Sequence, residues 1–304
     1  MTNLTDSAPV RECEPSLFRL FVADFIRSRV ALLGLVVFTI IILATVFAPL
    51  ITPQDPYDLM QLDIMDGRLP PGSSNFDGST TYILGTDDQG RDMFSGILYG
   101  LRTSLIVGVG SALLAALVGT LLGLVAAYVG GRFETFVMRL VDLQLSFPTI
   151  LTALMILAVL GKSVLNVVLA LVIVEWATYA RTARAAALAE RRRDYIVAAE
   201  TLAIPSWRIL LRHLLPNCLP SLIVVATIQI ASAIALEATL SFLGIGVPIT
   251  EPSLGLLIAN GYKYMLAGDY WVSLFPGVAL LVVIVSINLV GDHLRDILNP
   301  KNKS

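Results

Sequence analysis

A chain of 304 residues of which 56% are hydrophobic and only 14% charged is too apolar for a soluble domain, where charged residues run near a quarter, so it belongs in a bilayer. The formal net charge of −2 says nothing about partners, because in a membrane protein the distribution of Lys and Arg matters and their total does not. Two cysteines and two histidines leave no material for a disulfide framework or a zinc cluster.

Residues 1–15 are polar and carry no cleaved-leader pattern. The first apolar run is therefore expected to stay as an anchor. Ahead of it, Leu17, Phe18, Leu20, Phe21, Phe25 and Ile26 interleave with Arg19, Asp24 and Arg27. This is the pattern of an amphipathic helix on the membrane surface, or of a plain extension of the first span. Six apolar runs of spanning length follow, at 30–50, 103–128, 137–160, 164–188, 219–246 and 272–292. The composition predicts an all-α membrane protein with six transmembrane helices. With the N-terminus inside, 16 of the 21 Lys and Arg residues fall on the cytoplasmic side, a bias that predicts both termini in the cytoplasm. Cys13 and Cys218 then lie on reducing-side segments, where a disulfide is not expected.

The chain divides into a cytoplasmic N-terminus (1–29), a first span (30–50), one long extracytoplasmic connection (51–102), a core of five spans (103–292) and a tail (293–304). Within the long connection, Leu84-Gly85-Thr86-Asp87, Gly90-Arg91-Asp92 and Gly100-x-Arg102-x-Ser104-Leu105 stand in order. Asp87, Asp88 and Asp92 lack the alternation of a calcium loop, and the segment reads as an acidic turn positioning an extracytoplasmic gate. Gly85, Asp87, Gly90, Arg91, Asp92 and Arg102 are its candidate residues. The second run carries Ala115, Gly119, Gly123 and Ala127 at four-residue intervals, a stripe that lets another helix approach closely. In the third, Pro148 is expected to kink the helix, as a hinge or as a packing bend.

Between the fourth and fifth runs, residues 190–217 form a polar-faced pair of short helices. Tyr195, Ala199 and Leu202 recur at helical spacing. Trp207, Leu210, Leu211 and Leu214 make a second apolar stripe, with Arg208 and Arg212 on another face. Pro205 predicts a bend between the halves and Pro216 closes the second. At bilayer depth, Glu175 and Glu237 carry carboxylates that must face protein or water. Each is a pathway candidate, together with Ser241, or else buried polar glue between helices. Residues 248–271 read as a short outer helix or a connecting loop.

The spacing Ala198-Ala199, Ala203, Leu215-Pro216, from Asp194 through His213 to Asn217, resembles the cytoplasmic motif of ABC importer membrane subunits, with Val197 in place of the usual Glu and Ala203 in place of the usual Gly. Together with the Gly85–Leu105 pieces, Leu236-Glu-Ala-Thr-Leu-Ser-Phe-Leu-Gly-Ile-Gly246 and Gly291-Asp292-His293-Leu294-Arg295-Asp296, the chain is similar to the C-type permease subunit of dipeptide, oligopeptide and nickel importers. The resemblance implies a type I ABC importer permease fold in a bacterial cytoplasmic membrane. It also implies docking of the 190–217 helices into two cytosolic ATPases that bind ATP, a second related permease, and an extracytoplasmic substrate-binding protein. The substrates it implies are peptides or related small solutes, including glutathione, opines and nickel chelates.

No catalytic constellation stands beside these motifs. Gly161-Lys162-Ser163 lacks the upstream Gly and the strand of a nucleotide-binding loop. The Arg-rich helix pair, tethered to spans at both ends, is not free to enter a DNA groove. The residues therefore predict a subunit that is not itself an enzyme and binds no cofactor or nucleic acid. The alternative is a secondary transporter or channel working alone, which predicts paired broken helices in two similar halves; no such repeat is evident.

Overall fold

Residues 24–27 are helical and α1 (Arg29–Val46) follows them in the computed structural model, which describes residues 24–298 apart from 57, 59 and 61. The expected N-terminal amphipathic helix falls largely on residues 1–23, and the end of the tail on 299–304, outside the described residues. Ser28 caps α1, its Oγ accepting from the Ala31 amide at 3.3 Å. Pro49 stands in the first turn of the single-turn α2 (Ala48–Ile51). A ribbon of β1 (Ser73–Ser74) and β2 (Thr81–Tyr82), with Ser73 opposite Tyr82, follows in the long connection.

The core consists of α3 (Met93–Val129), α4 (Gly131–Ser146), α5 (Thr149–Leu160), α6 (Val164–Glu190), α7 (Asp194–Thr201), α8 (Ser206–Phe242), α9 (Leu254–Tyr262) and α10 (Trp271–Leu298). Its two ends are distinct. One carries the long connection and α9; the other carries residues 190–217 and both ends of the described chain.

Glycine sets the closest packing. A Cβ on Gly119 would lie 2.3 Å from the Trp176 carbonyl oxygen, and one on Gly123 2.4 Å from that of Ala180. The small-residue stripe of α3 is therefore where α6 lies against it, parallel and in backbone contact. One core cluster gathers Met93, Ile97, Leu254 and Trp271 where α3 meets α9 and α10. Another gathers Leu124, Tyr179, Ile196, Ile209 and Leu214 at the opposite end.

Three expectations are sharpened or corrected. The run 137–160 bends at Pro148, as expected, but far more sharply than a kink: α4 and α5 meet at 95°, the geometry of a broken span or a re-entrant loop. Pro148 has no N–H to continue the ladder and holds Phe147 extended (φ −92°, ψ 142°). The 12 residues of α5 reach only about 18 Å, short of the ~30 Å hydrocarbon layer. Arg184 and Arg181 of α6 donate to Glu134 (2.7 Å) and Asp142 (2.6 Å) and tie α4 to its neighbour. Secondly, α3 begins at Met93 rather than 103. The Asp92 carboxylate accepts from the amide (2.8 Å) and hydroxyl (2.6 Å) of Ser95 and caps it there. Thirdly, Pro216 does not end the second short helix. Residues Ile209–Leu214 widen into a π turn, in which the Leu215 amide donates five residues back to the Leu210 carbonyl. That shift accommodates Pro216, which has no N–H, and the helix runs on as α8.

Candidate functional site

Residues 190–217 form an elbow whose bend is a helix-ending loop. The Ile204 amide donates to the Ala199 carbonyl (3.2 Å) and the Ala203 amide to that of Glu200 (3.0 Å), a Schellman arrangement. It demands a left-handed residue at position 203, and Ala203 supplies it at φ 54°. Pro205 then opens α8, its carbonyl accepting from the amides of Arg208 and Ile209. The bend thus uses both devices, a left-handed Ala203 and Pro205.

Inward, Ile196 and Ala199 of α7 and Ile209 and Leu214 of α8 enter the cluster built on Leu124, Tyr179 and Ala183. The elbow therefore moves with the ends of α3 and α6. Polar contacts reinforce this. Arg191 donates to the Ala127 carbonyl at 3.0 Å and lies over the Tyr128 ring. The Tyr195 hydroxyl donates to Glu190 (2.8 Å) and accepts from Asn217 (3.0 Å). Partial burial and the Glu190 carboxylate push Tyr195 up to about 12, so it stays a neutral donor.

Outward, Val197, Leu202, Trp207 and Leu211 are exposed, Leu202 at 75%. Asp194, Ala198, Arg208, Arg212 and Pro216 are exposed around them, while His213 and Leu215 are half-buried. Apolar side chains that the periodicity assigned to one stripe therefore divide. Leu214 faces in and Trp207 and Leu211 face out, and Ile209 replaces them in the core. Asn217 closes the motif read from the sequence, whereas the contacts of Arg191 and Tyr128 were not visible there, although a run of three arginines at 191–193 marks the spot.

At the opposite end, the acidic segment is a buried knot. Gly85 and Gly90 have φ of 79° and 76°, and a Cβ on Gly90 would lie 2.0 Å from the Asp63 carbonyl oxygen. Asp87 Oδ1 accepts from the amides of Gln89 (2.8 Å) and Arg91 (2.9 Å). The Gln54 side chain accepts from the Asp92 amide at 2.7 Å. Asp66, absent from the predicted set, accepts from Tyr82 (3.0 Å) and from the Phe76 amide (3.0 Å). Burial, with the bond to Asp66, pushes Tyr82 up to about 12. Burial likewise pushes Asp87 up to about 6, against the pull of backbone bonds and the Arg91 charge. The Trp271 indole donates to the Thr86 carbonyl at 3.4 Å and fastens the knot to α10. Gly85, Asp87, Gly90, Arg91 and Asp92 are thus brought together. Arg102 is not: it lies on the outer surface of α3, facing α1.

Glu237 is fully buried in α8, accepting from Ser104 of α3 (2.7 Å) and Ser241 (2.8 Å). Ser241 Oγ also accepts from the Val247 amide at 3.3 Å, so one carboxylate ties two helices and a loop. Ser104 was visible as the Ser of the Gly-x-Arg-x-Ser piece. Glu175, 3% exposed, stands apart on α6 and has no hydrogen-bond partner for either oxygen among the described residues. No group of three or more metal-ligating side chains occurs among the described residues.

Residues 119–304 match the family described as binding-protein-dependent transport system inner membrane component, and 16–71 match the N-terminal TM domain of oligopeptide transport permease C. The chain is 38% identical to the di/tripeptide transport system permease protein DppC of Pseudomonas aeruginosa, over 95% of this chain and 94% of that one. It is 36% identical to the probable D,D-dipeptide transport system permease protein DdpC of Escherichia coli, over 90% and 88%. It is 31% identical to the oligopeptide transport system permease protein OppC of Bacillus subtilis, over 98% and 94%. Among solved structures, an inward-facing conformation of the MetNI methionine ABC transporter superposes with a TM-score of 0.56 and 22% identity. It covers 68% of this chain and 98% of that chain, a likeness of fold.

Proposed function

The chain belongs to the family of binding-protein-dependent transport system inner membrane components, and from that premise we propose that it carries peptides across the membrane as one half of a two-subunit pathway. It is a multi-pass bacterial membrane protein and a permease subunit of an ATP-binding cassette importer. The peptide class rests on the names of its relatives, which move di/tripeptides, D,D-dipeptides and oligopeptides.

The elbow end faces the cytosol, since 16 of 21 Lys and Arg residues belong to that side. Two ATPase subunits bind and hydrolyse ATP there, a second related permease completes the pathway, and a substrate-binding protein docks at the knot. One observation carries the ATPase contact. The elbow leaves Val197, Leu202, Trp207 and Leu211 uncovered beside Arg208 and Arg212, an apolar patch rimmed by cations of the kind that marks a protein interface. Its inner face is buried against α3 and α6. Closure of the ATPases therefore moves the elbow and swings the spans between inward-open and outward-open states, a population shift driven by the nucleotide.

Affinity purification of the tagged chain in mild detergent tests this reading. A second permease and ATPase subunits are expected to co-purify, and the reconstituted complex with its binding protein to take up labelled tripeptide only with ATP. A chain that purifies alone and moves peptide without nucleotide overturns it.

A further inference from the structure

Arg102 forms no ion pair and no side-chain hydrogen bond with any described residue, although it stands on a helix within the membrane-spanning bundle. It closes one end of a groove of about 430 Å³ between α1 and α3, walled by Phe38, Ile42, Val46, Ile106 and Gly110. Thr45 also lines the groove, and its hydroxyl is engaged by the Ile42 carbonyl at 2.8 Å. The guanidinium is therefore the polar group left unpaired.

The groove has a direction and a depth. α1 runs toward the knot end and α3 away from it, so Val46 and Arg102 lie together at the level of the knot-side membrane surface, and Phe38 and Gly110 lie together near mid-membrane. The eight-residue separation on each helix corresponds to about 12 Å, close to one leaflet of the ~30 Å hydrocarbon layer. The 18 residues of α1 cover about 27 Å, which fixes its end at the surface. A guanidinium at that level reaches the headgroup layer, where the phosphates of the lipids are the anions within its range.

We propose that this groove holds an acyl chain of a phospholipid from the knot-side leaflet, with Arg102 bound to its phosphate. A single phospholipid presents an anion at the surface and an apolar chain of one leaflet's length, the two features the groove pairs. A helix of the second permease is the competing occupant of the apolar wall, and cross-linking separates the two. The site requires only that the chain lies in a bilayer, so peptide uptake has no bearing on it.

The test uses the purified complex in nanodiscs containing phosphatidylglycerol with a photoactivatable diazirine near the end of one acyl chain. Cross-links are expected around Phe38–Ile42 of α1 and around Gly110 of α3. Arg102→Gln is expected to reduce them about tenfold, the scale of one charge-assisted hydrogen bond, whereas Arg102→Lys retains most of them. Gly110→Phe, whose side chain enters space with no atom within 4 Å of the added Cβ, is expected to abolish them at an unchanged thermal transition. A diacylglycerol bearing the same diazirine chain is expected to label weakly, and inorganic phosphate not to compete. Equal labelling by the diacylglycerol, undiminished labelling in Arg102→Gln, or a groove that cross-links to the second permease in place of the lipid overturns the proposal.

Discussion

Ala203 holds a left-handed backbone, φ 54°, that costs an L-residue about 1 kcal/mol and glycine nothing. Ala203→Gly removes that strain but gives the unfolded chain more freedom. The expected net gain is ~0.5 kcal/mol, read as about a twofold slowing of hydrogen exchange at the Ile204 amide. Ala203→Val, β-branched in the same conformation, is expected to speed it. Asp87 is strained differently. Its carboxyl titrates near 6 when folded, against 3.8 ordinarily, so its contribution to stability is fully present below about pH 4 and is lost as pH rises through 6. Asp87→Asn keeps an oxygen for the Gln89 and Arg91 amides without the charge. Its thermal transition is expected to gain on that of the unsubstituted chain as pH rises from 4 to 7. The motif residues of the knot were legible in the sequence as short strings. Their closeness was not, because Asp66 and Gln54 approach from remote positions that no spacing rule connects to Asp87.

Between elements, glycine contacts decide what can be changed. Gly119→Val drives branched methyls into the Trp176 carbonyl and is expected to abolish recovery of monodisperse complex. Gly277→Ala in α10, with open space around the added Cβ, is expected to leave recovery unchanged. The α3 stripe was legible because small residues at four-residue spacing have few purposes in a membrane helix. The turn from α4 to α5 was not, since hydropathy measures composition and carries no direction, and Pro148 alone signals a kink without its angle. The start of α3 was hidden because Ser95, Tyr99 and Arg102 dilute the apolar pattern of a stretch that packs against α9 and α10. Pro216 misled for a related reason. A helix absorbs a missing donor when a π turn offsets the ladder beforehand.

At the scale of the whole molecule, the elbow presents cations outward while its apolar inner face grips α3 and α6. Arg208→Glu combined with Arg212→Glu touches only the outward part. Normal membrane levels, persistent ATP turnover and at least a tenfold loss of peptide uptake are the expected outcome in proteoliposomes; full uptake at normal expression refutes the coupling role. One feature of the architecture governs how such a push spreads. The 37 residues of α3 make an unbroken rod of about 55 Å, clamped by Asp92 at one tip and gripped by Arg191 near the other. Pivoting by about 10° around its centre displaces the two tips by roughly 5 Å in opposite senses. A seesaw of this kind needs no chain of relayed side-chain shifts, and it makes the two faces of the membrane reciprocal by geometry alone.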